Sequence, residues 1–248
     1  MPITQQGKSP PPLVFTPTHG KPKQLFVLLH GDGAAPEQMM SLTQALKQAF
    51  PDALLVLPYG TLCSGAAAYH WLDPDGLSNE NRVERLVQAA SALAVEIRQL
   101  QALYGLSGEY TALAGFGQGA TMALEACLAQ SELAGRVLAF SGSFACLPAS
   151  VPQTTTLHFF HGADDTQVSL AFMRQTHEHL AGLHGDATLD IASHIGHELH
   201  DVLIAQAIHR LQTCIPLRSW RAALGALSID VYDAGLDDPD MASDRTLH

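Results

Sequence analysis

Three segments of this chain carry residue types that could perform acyl transfer together. The first is Gly115-Phe-Gly117-Gln-Gly119-Ala120, preceded by an apolar strand at residues 110–113 and followed by helical residues 118–129. This is the layout of a nucleophile elbow, G-x-S-x-G, where a serine on a tight strand-to-helix turn presents its oxygen to substrate. Gly117 stands at the serine position, so the frame is present and the nucleophilic atom is absent. The second segment is His161-Gly-Ala-Asp164-Asp165 and the third is His194-Ile-Gly-His197, each just after an apolar run. A histidine can take a proton from a nucleophile and later return it, while a carboxylate fixes its tautomer and stabilises imidazolium. Singly, an Asp in a loop is a turn former and a His a surface residue. Three such segments in the order nucleophile, acid, histidine, each at a strand end, outweigh that reading.

The elements that position them alternate. Residues 24–30 (QLFVLLH), 53–57 (ALLVL), 136–140 (RVLAF), 156–160 (TLHFF) and 187–191 (ATLDI) are continuous apolar runs of strand length. Helical spacing covers 39–50, the stretch opened by Asn81, 168–183 and 199–212. Asn81 with Glu84 predicts a capping box, and Gly105 the end of that helix. Strands that alternate with helices and are apolar on both faces imply a mostly parallel sheet covered on both sides. In such sheets the working residues collect at the carboxyl ends of the strands. Residues 1–22, rich in Pro and polar residues, read as a flexible N-terminal arm, and residues 59–77 as a long loop containing Trp71. The domain expectation is therefore an arm at 1–22, a single α/β domain at 23–216, and an extension at 217–248. Within the extension residues 219–227 have helical character and residues 231–248 form an acidic tail.

Bulk properties exclude several partners. A net charge of −11 argues against nucleic acid, whose phosphates need clustered Lys and Arg, and against docking on anionic lipid. No apolar run reaches the length of a membrane span, and residues 1–8 contain no apolar signal core. Cys63, Cys127, Cys146 and Cys214 are scattered without a C-x-x-C, which reads as free thiols in a cytoplasmic protein.

Two rivals fail on spacing. Gly115-x-Gly117-x-x-Ala120 matches the dinucleotide fingerprint, but the strand that should end in an acid about 20 residues on ends in Phe140-Ser141-Gly142. His194, His197 and His200 straddle a loop-to-helix junction without the H-E-x-x-H spacing, so no metal is expected there.

The chain resembles the carboxylesterase/phospholipase family of α/β hydrolases, which includes acyl-protein thioesterases, and in particular a bacterial predicted-esterase branch. The resemblance spans residues 24–216 and rests on Leu29-His30-Gly31-Asp32-Gly33, Trp71-Leu72-Asp73, the elbow with Phe116 and Gln118, Phe160-His161-Gly162-Ala163-Asp164-Asp165, and Ile195-Gly196-His197. It implies an α/β-hydrolase fold and hydrolysis of a small-molecule carboxylic ester or thioester, without a cofactor. The acid would be Asp165, with Asp164 the near alternative, and the base His197. The oxyanion hole would use the backbone N–H groups of Asp32 and Gln118. Trp71 would line the acyl side of the site or sit in the core. A homodimer is left open.

Two departures from the family pattern bear on activity. The family has Ser where this chain has Gly117, and an apolar residue where it has Asp32. Glycine tolerates the strained elbow angles, so the fold survives the change while the rate falls by orders of magnitude, leaving roughly 10³–10⁴ over water. A carboxylate about 6 Å from a developing oxyanion costs roughly 3 kcal/mol at an effective dielectric near 20. Asp32 must therefore point away, be paired, or be protonated. The sequence is compatible with an inactivated enzyme, a variant that still hydrolyses, or a hydrolase fold kept for binding. Ser141 and Ser143 belong to a neighbouring strand end, and nothing in the sequence places them against His197.

Overall fold

A computed structural model describes residues 10–64, 68–219 and 222. The strands are β1 (Leu13–Phe15), β2 (Gln24–Leu29), β3 (Ala53–Leu57), β4 (Leu62–Ser64), β5 (Ala68–His70), β6 (Thr111–Phe116), β7 (Arg136–Phe140), β8 (Thr156–Gly162) and β9 (Ala187–Ala192). The helices are α1 (Met40–Ala49), α2 (Arg82–Tyr104), α3 (Gln118–Ala129), α4 (Leu170–Gly182) and α5 (Asp201–Thr213). Seven strands form one sheet in the order β1-β3-β2-β6-β7-β8-β9, with β1 antiparallel and every other pair parallel.

Strand alternation divides the core between the two faces. Leu25, Val27 and Leu29 of β2 point to the side packed by α2, α3 and α4, with Leu93, Ile97, Leu124 and Met173. Phe26 and Leu28 point to the opposite side, with Leu42 and Leu46 of α1 and Leu203 and Ile204 of α5. Burial on both faces explains why these strands read as unbroken apolar runs rather than alternating ones.

The fold departs from expectation in three places. Leu13–Phe15 of the expected arm adds β1 to the sheet edge, in register with Leu57, Val56 and Leu55. The long loop contains the β4–β5 hairpin, which is tied to residues 33–34 by the paired bonds Gly33 N–H to Tyr69 O and Tyr69 N–H to Ala34 O, both 3.0 Å. The capping box does not form. Asn81 instead accepts from Ser78 N–H at 2.8 Å and donates to Gly76 O at 2.8 Å, closing the preceding turn. Gly105 does end α2, in the left-handed conformation at φ 68°.

Among the described residues, those through Cys214 form one compact unit and those from Ile215 on belong to a second. In the second, residues 217–219 and 222 are helical, and Ser219 N–H donates to Pro216 O at 2.9 Å. The rest of the expected helix at 219–227 and the acidic tail lie outside the described residues.

Candidate active site

The site begins at β6, the middle strand of the seven. Gly117 leaves it at φ 54° and ψ −118°, a left-handed backbone conformation, and α3 starts at the next residue. Its N–H donates to Phe140 O of β7 at 2.9 Å, and its carbonyl accepts from Ala120 N–H at 3.1 Å and Thr121 N–H at 3.2 Å. The flanking glycines are needed for close approach. A Cβ on Gly115 would strike the backbone of Gly119, and one on Gly119 the carbonyls of Leu29 and His30.

A Cβ at residue 117 would meet only His197, at 3.5 Å from Nε2. His197 is held from both sides. Its Nδ1–H donates to Asp165 Oδ2 at 2.8 Å, and its ring packs on Phe116 with centroids 4.8 Å apart. The acceptor carboxylate sets the ring tautomer, leaving Nε2 toward residue 117.

Asp165 is buried, with its other oxygen, Oδ1, accepting from Gln167 N–H at 2.8 Å and Val168 N–H at 2.9 Å. Burial alone would raise its pKa. The Val168 and Gln167 N–H groups and the His197 ring prevail and hold the carboxyl below the usual carboxylate range. His161 supports the same turn: its Nε2–H donates to Val168 O at 2.9 Å and lies 3.8 Å from Asp165 Oδ2. Burial pushes the His161 ring down, toward its neutral form. Asp164, the alternative acid, is 66% exposed and faces His194 at 3.9 Å, away from His197.

The other wall is the turn after β2. The N–H groups of Asp32 and Gln118 have no hydrogen-bond partner among the described residues, and both residues line one cavity with Gly117 and His197. Gln38 Oε1 fixes the turn by accepting from Gly31 N–H at 2.7 Å. His30 beneath it is fully buried, its Nδ1–H donating to Gly31 O at 2.7 Å and its Nε2 accepting from Gly60 N–H at 2.9 Å. Burial lowers the His30 pKa, which favours the neutral ring. The Asp32 carboxylate is paired: Oδ1 accepts from His70 Nδ1 at 2.9 Å.

The structure thus brings Gly117, His197, Asp32 and Gln118 together around a cavity of about 610 Å³, with Asp165 behind His197. Trp71 is elsewhere. It is 5% exposed, stacks on His30 with centroids 4.9 Å apart, and donates from Nε1 to His30 O at 2.8 Å. Of its two expected places it takes the core. The apolar wall comes instead from Val83, Leu86, Phe144, Val168 and Phe172. Gln38 and His70 were not singled out by sequence reasoning, because they reach the site from 7 and 38 residues away from their partners. His161 had a signal, its place in the segment that ends in Asp165, but no evident role.

A mostly parallel seven-stranded sheet covered on both faces, with this crossover order, is that of the α/β hydrolases. Within that class, the chain belongs to the Phospholipase/Carboxylesterase family, whose profile matches residues 13–215. It is 36% identical over 203 residues to esterase YpfH of Escherichia coli (strain K12), covering 82% of this chain and 88% of that protein. Among solved structures it is similar to esterase PE8, with a TM-score of 0.71 and 26% identity over 84% of this chain and 100% of the other. Acyl-protein thioesterase 2 of Zea mays shares the fold at a TM-score of 0.63 and 20% identity, covering 81% and 97% of the two chains.

Proposed function

We propose that this chain carries the site of a carboxylic ester or thioester hydrolase with Gly117 at the nucleophile position, so that hydrolysis is reduced or absent as the chain stands. One observation carries the reading: the line from the Gly117 Cβ position to His197 Nε2 at 3.5 Å and from His197 Nδ1 to Asp165 Oδ2 at 2.8 Å. A serine hydroxyl at residue 117 would have a base beside it and an acid behind that base. The Asp32 and Gln118 N–H groups would receive the oxygen that becomes negative as the ester carbonyl turns tetrahedral. His197 would then hand its proton to the leaving alcohol or thiol.

In the chain as it stands the base remains and the attacking oxygen is missing, so any residual turnover must come from water beside His197. A cytoplasmic location fits the scattered cysteines, of which Cys127 and Cys146 are free among the described residues. Among the described residues, no helix is long and apolar enough to cross a membrane.

A fluorophosphonate probe, which labels an activated serine, tests this reading. The Gly117→Ser protein should gain one label on residue 117, and that label should disappear when His197→Ala is added. An unlabelled Gly117→Ser protein that is folded would contradict it.

The second reading, a hydrolase fold kept as a binding module, is favoured by Gly117 itself.

A further inference from the structure

We infer that the Gly117 site is a receptor for a free monocarboxylate with an apolar tail, the acid rather than the ester being its preferred ligand. The inference rests on the site geometry of the proposed function and goes beyond it in chemistry. A carboxylate has two oxygens on one carbon, and the site offers two places for them. One is the pair of N–H groups of Asp32 and Gln118, unpartnered among the described residues. The other is Nε2 of His197, which faces residue 117.

In a serine hydrolase the serine oxygen occupies the space between these two places, so an acid meets it there. Gly117 leaves that space to the second carboxylate oxygen. An ester or alcohol can fill only one of the two places with an equivalent acceptor.

Further features of the cavity fit an acid. Ser141 lines it, is fully buried, and holds a left-handed backbone conformation at φ 47°. Its hydroxyl has no partner among the described residues. A non-glycine residue in this region is strained, a state that clusters at ligand sites. Arg82 reaches the cavity rim from α2, while the Asp32 carboxylate, which would repel the ligand, is engaged by His70 at 2.9 Å. Val83, Leu86, Phe144 and Phe172 supply the wall for a hydrocarbon tail.

Binding has a proton balance. His197 Nδ1–H is committed to Asp165, so donation from Nε2 as well makes the ring imidazolium, with the proton taken from solvent. The charged and titratable groups around it are His161 of β8 and Asp165 of the turn after it, with Arg82 and the Asp32–His70 pair across the cavity. Affinity therefore weakens as pH rises.

The test is calorimetry of the full wild-type chain with sodium acetate, butyrate and octanoate, in two buffers of different ionisation enthalpy at one pH. Octanoate is expected to bind more tightly than acetate, and at least about tenfold more tightly than 1-octanol, with uptake of about one proton. Gly117→Ser should weaken octanoate by about tenfold or more, and His197→Gln should weaken it and abolish proton uptake. Octanoate that binds no better than 1-octanol, or binds without proton uptake, or binds Gly117→Ser equally well, would overturn the inference. If the Gly117→Ser protein hydrolyses p-nitrophenyl butyrate while the wild-type chain ignores octanoate, the receptor falls and the hydrolase reading stands.

Discussion

Nε2 of His197 lies 3.5 Å from the point where a Cβ on Gly117 would stand, an ordinary contact rather than a clash. A side chain therefore fits at residue 117, and its cost lies in the backbone. At φ 54° and ψ −118° a residue with a Cβ is strained by about 1–3 kcal/mol. Gly117→Ser should accordingly lower the unfolding free energy by that amount while introducing a nucleophile. Urea denaturation of the two proteins checks the first half; equal stability would mean that the elbow relaxes when serine is present.

The choice between Asp165 and Asp164 is a prediction about rate. In the Gly117→Ser background, Asp165→Asn should reduce kcat by about 10⁴, because His197 loses its tautomer control. Asp164→Asn should leave kcat unchanged, since Asp164 faces His194 at 3.9 Å on the surface. Steady-state hydrolysis of p-nitrophenyl butyrate separates the two.

The pairing of Asp32 with His70 bears on the proposed oxyanion hole, whose turn carries a carboxylate. Removing the partner with His70→Ala in the Gly117→Ser background should slow hydrolysis by roughly tenfold or more, within the limit of about 3 kcal/mol for an unpaired charge near the oxyanion. Adding Asp32→Asn should restore most of the rate. A loss that persists in the double variant would assign the effect to the β4–β5 hairpin rather than to charge.

The parts legible in the sequence were those governed by local pattern. The extents of β3, α3 and β7 agree with the apolar runs and the helical stretch read from the chain, and in β3 burial on both faces leaves no polar residue to blur the limits. β1 was not legible. Its three residues have no periodicity of their own, and they become a strand only by pairing with β3 about forty residues away. The Asn81 box failed because its side chain had a better local use in the turn before α2. At the site, the order of the elbow, Asp165 and His197 was visible, whereas the Asp32–His70 pair and the burial of Trp71 on His30 depend on how the hairpin docks.

Acid should destabilise the fold through His158, which lies far from the chemistry. Burial and the adjacent Arg136 push its ring down from about 6.5 to about 4. Arg136 Nη1 donates to its Nε2 at 3.1 Å, and its Nδ1–H donates to Thr188 at 2.9 Å, so the neutral ring is the bound form. The unfolded chain takes up a proton below about 6.5 and the folded chain only near 4. Stability from this group is thus complete above about pH 6.5 and falls by on the order of 3 kcal/mol as pH drops to 4. Urea midpoints at pH 7.5 and 4.5 should differ less in His158→Gln than in wild type. An equal difference in both proteins would remove His158 from the account.

In the proposed function, a hydroxymethyl group at residue 117 separates this chain from a working hydrolase. Hydrolysis of p-nitrophenyl acetate and butyrate by the wild-type and Gly117→Ser proteins, side by side, tests it most directly. Turnover by the serine protein is expected to be faster by orders of magnitude and abolished by His197→Ala, with the glycine protein near background. A folded Gly117→Ser protein that hydrolyses neither ester would contradict it.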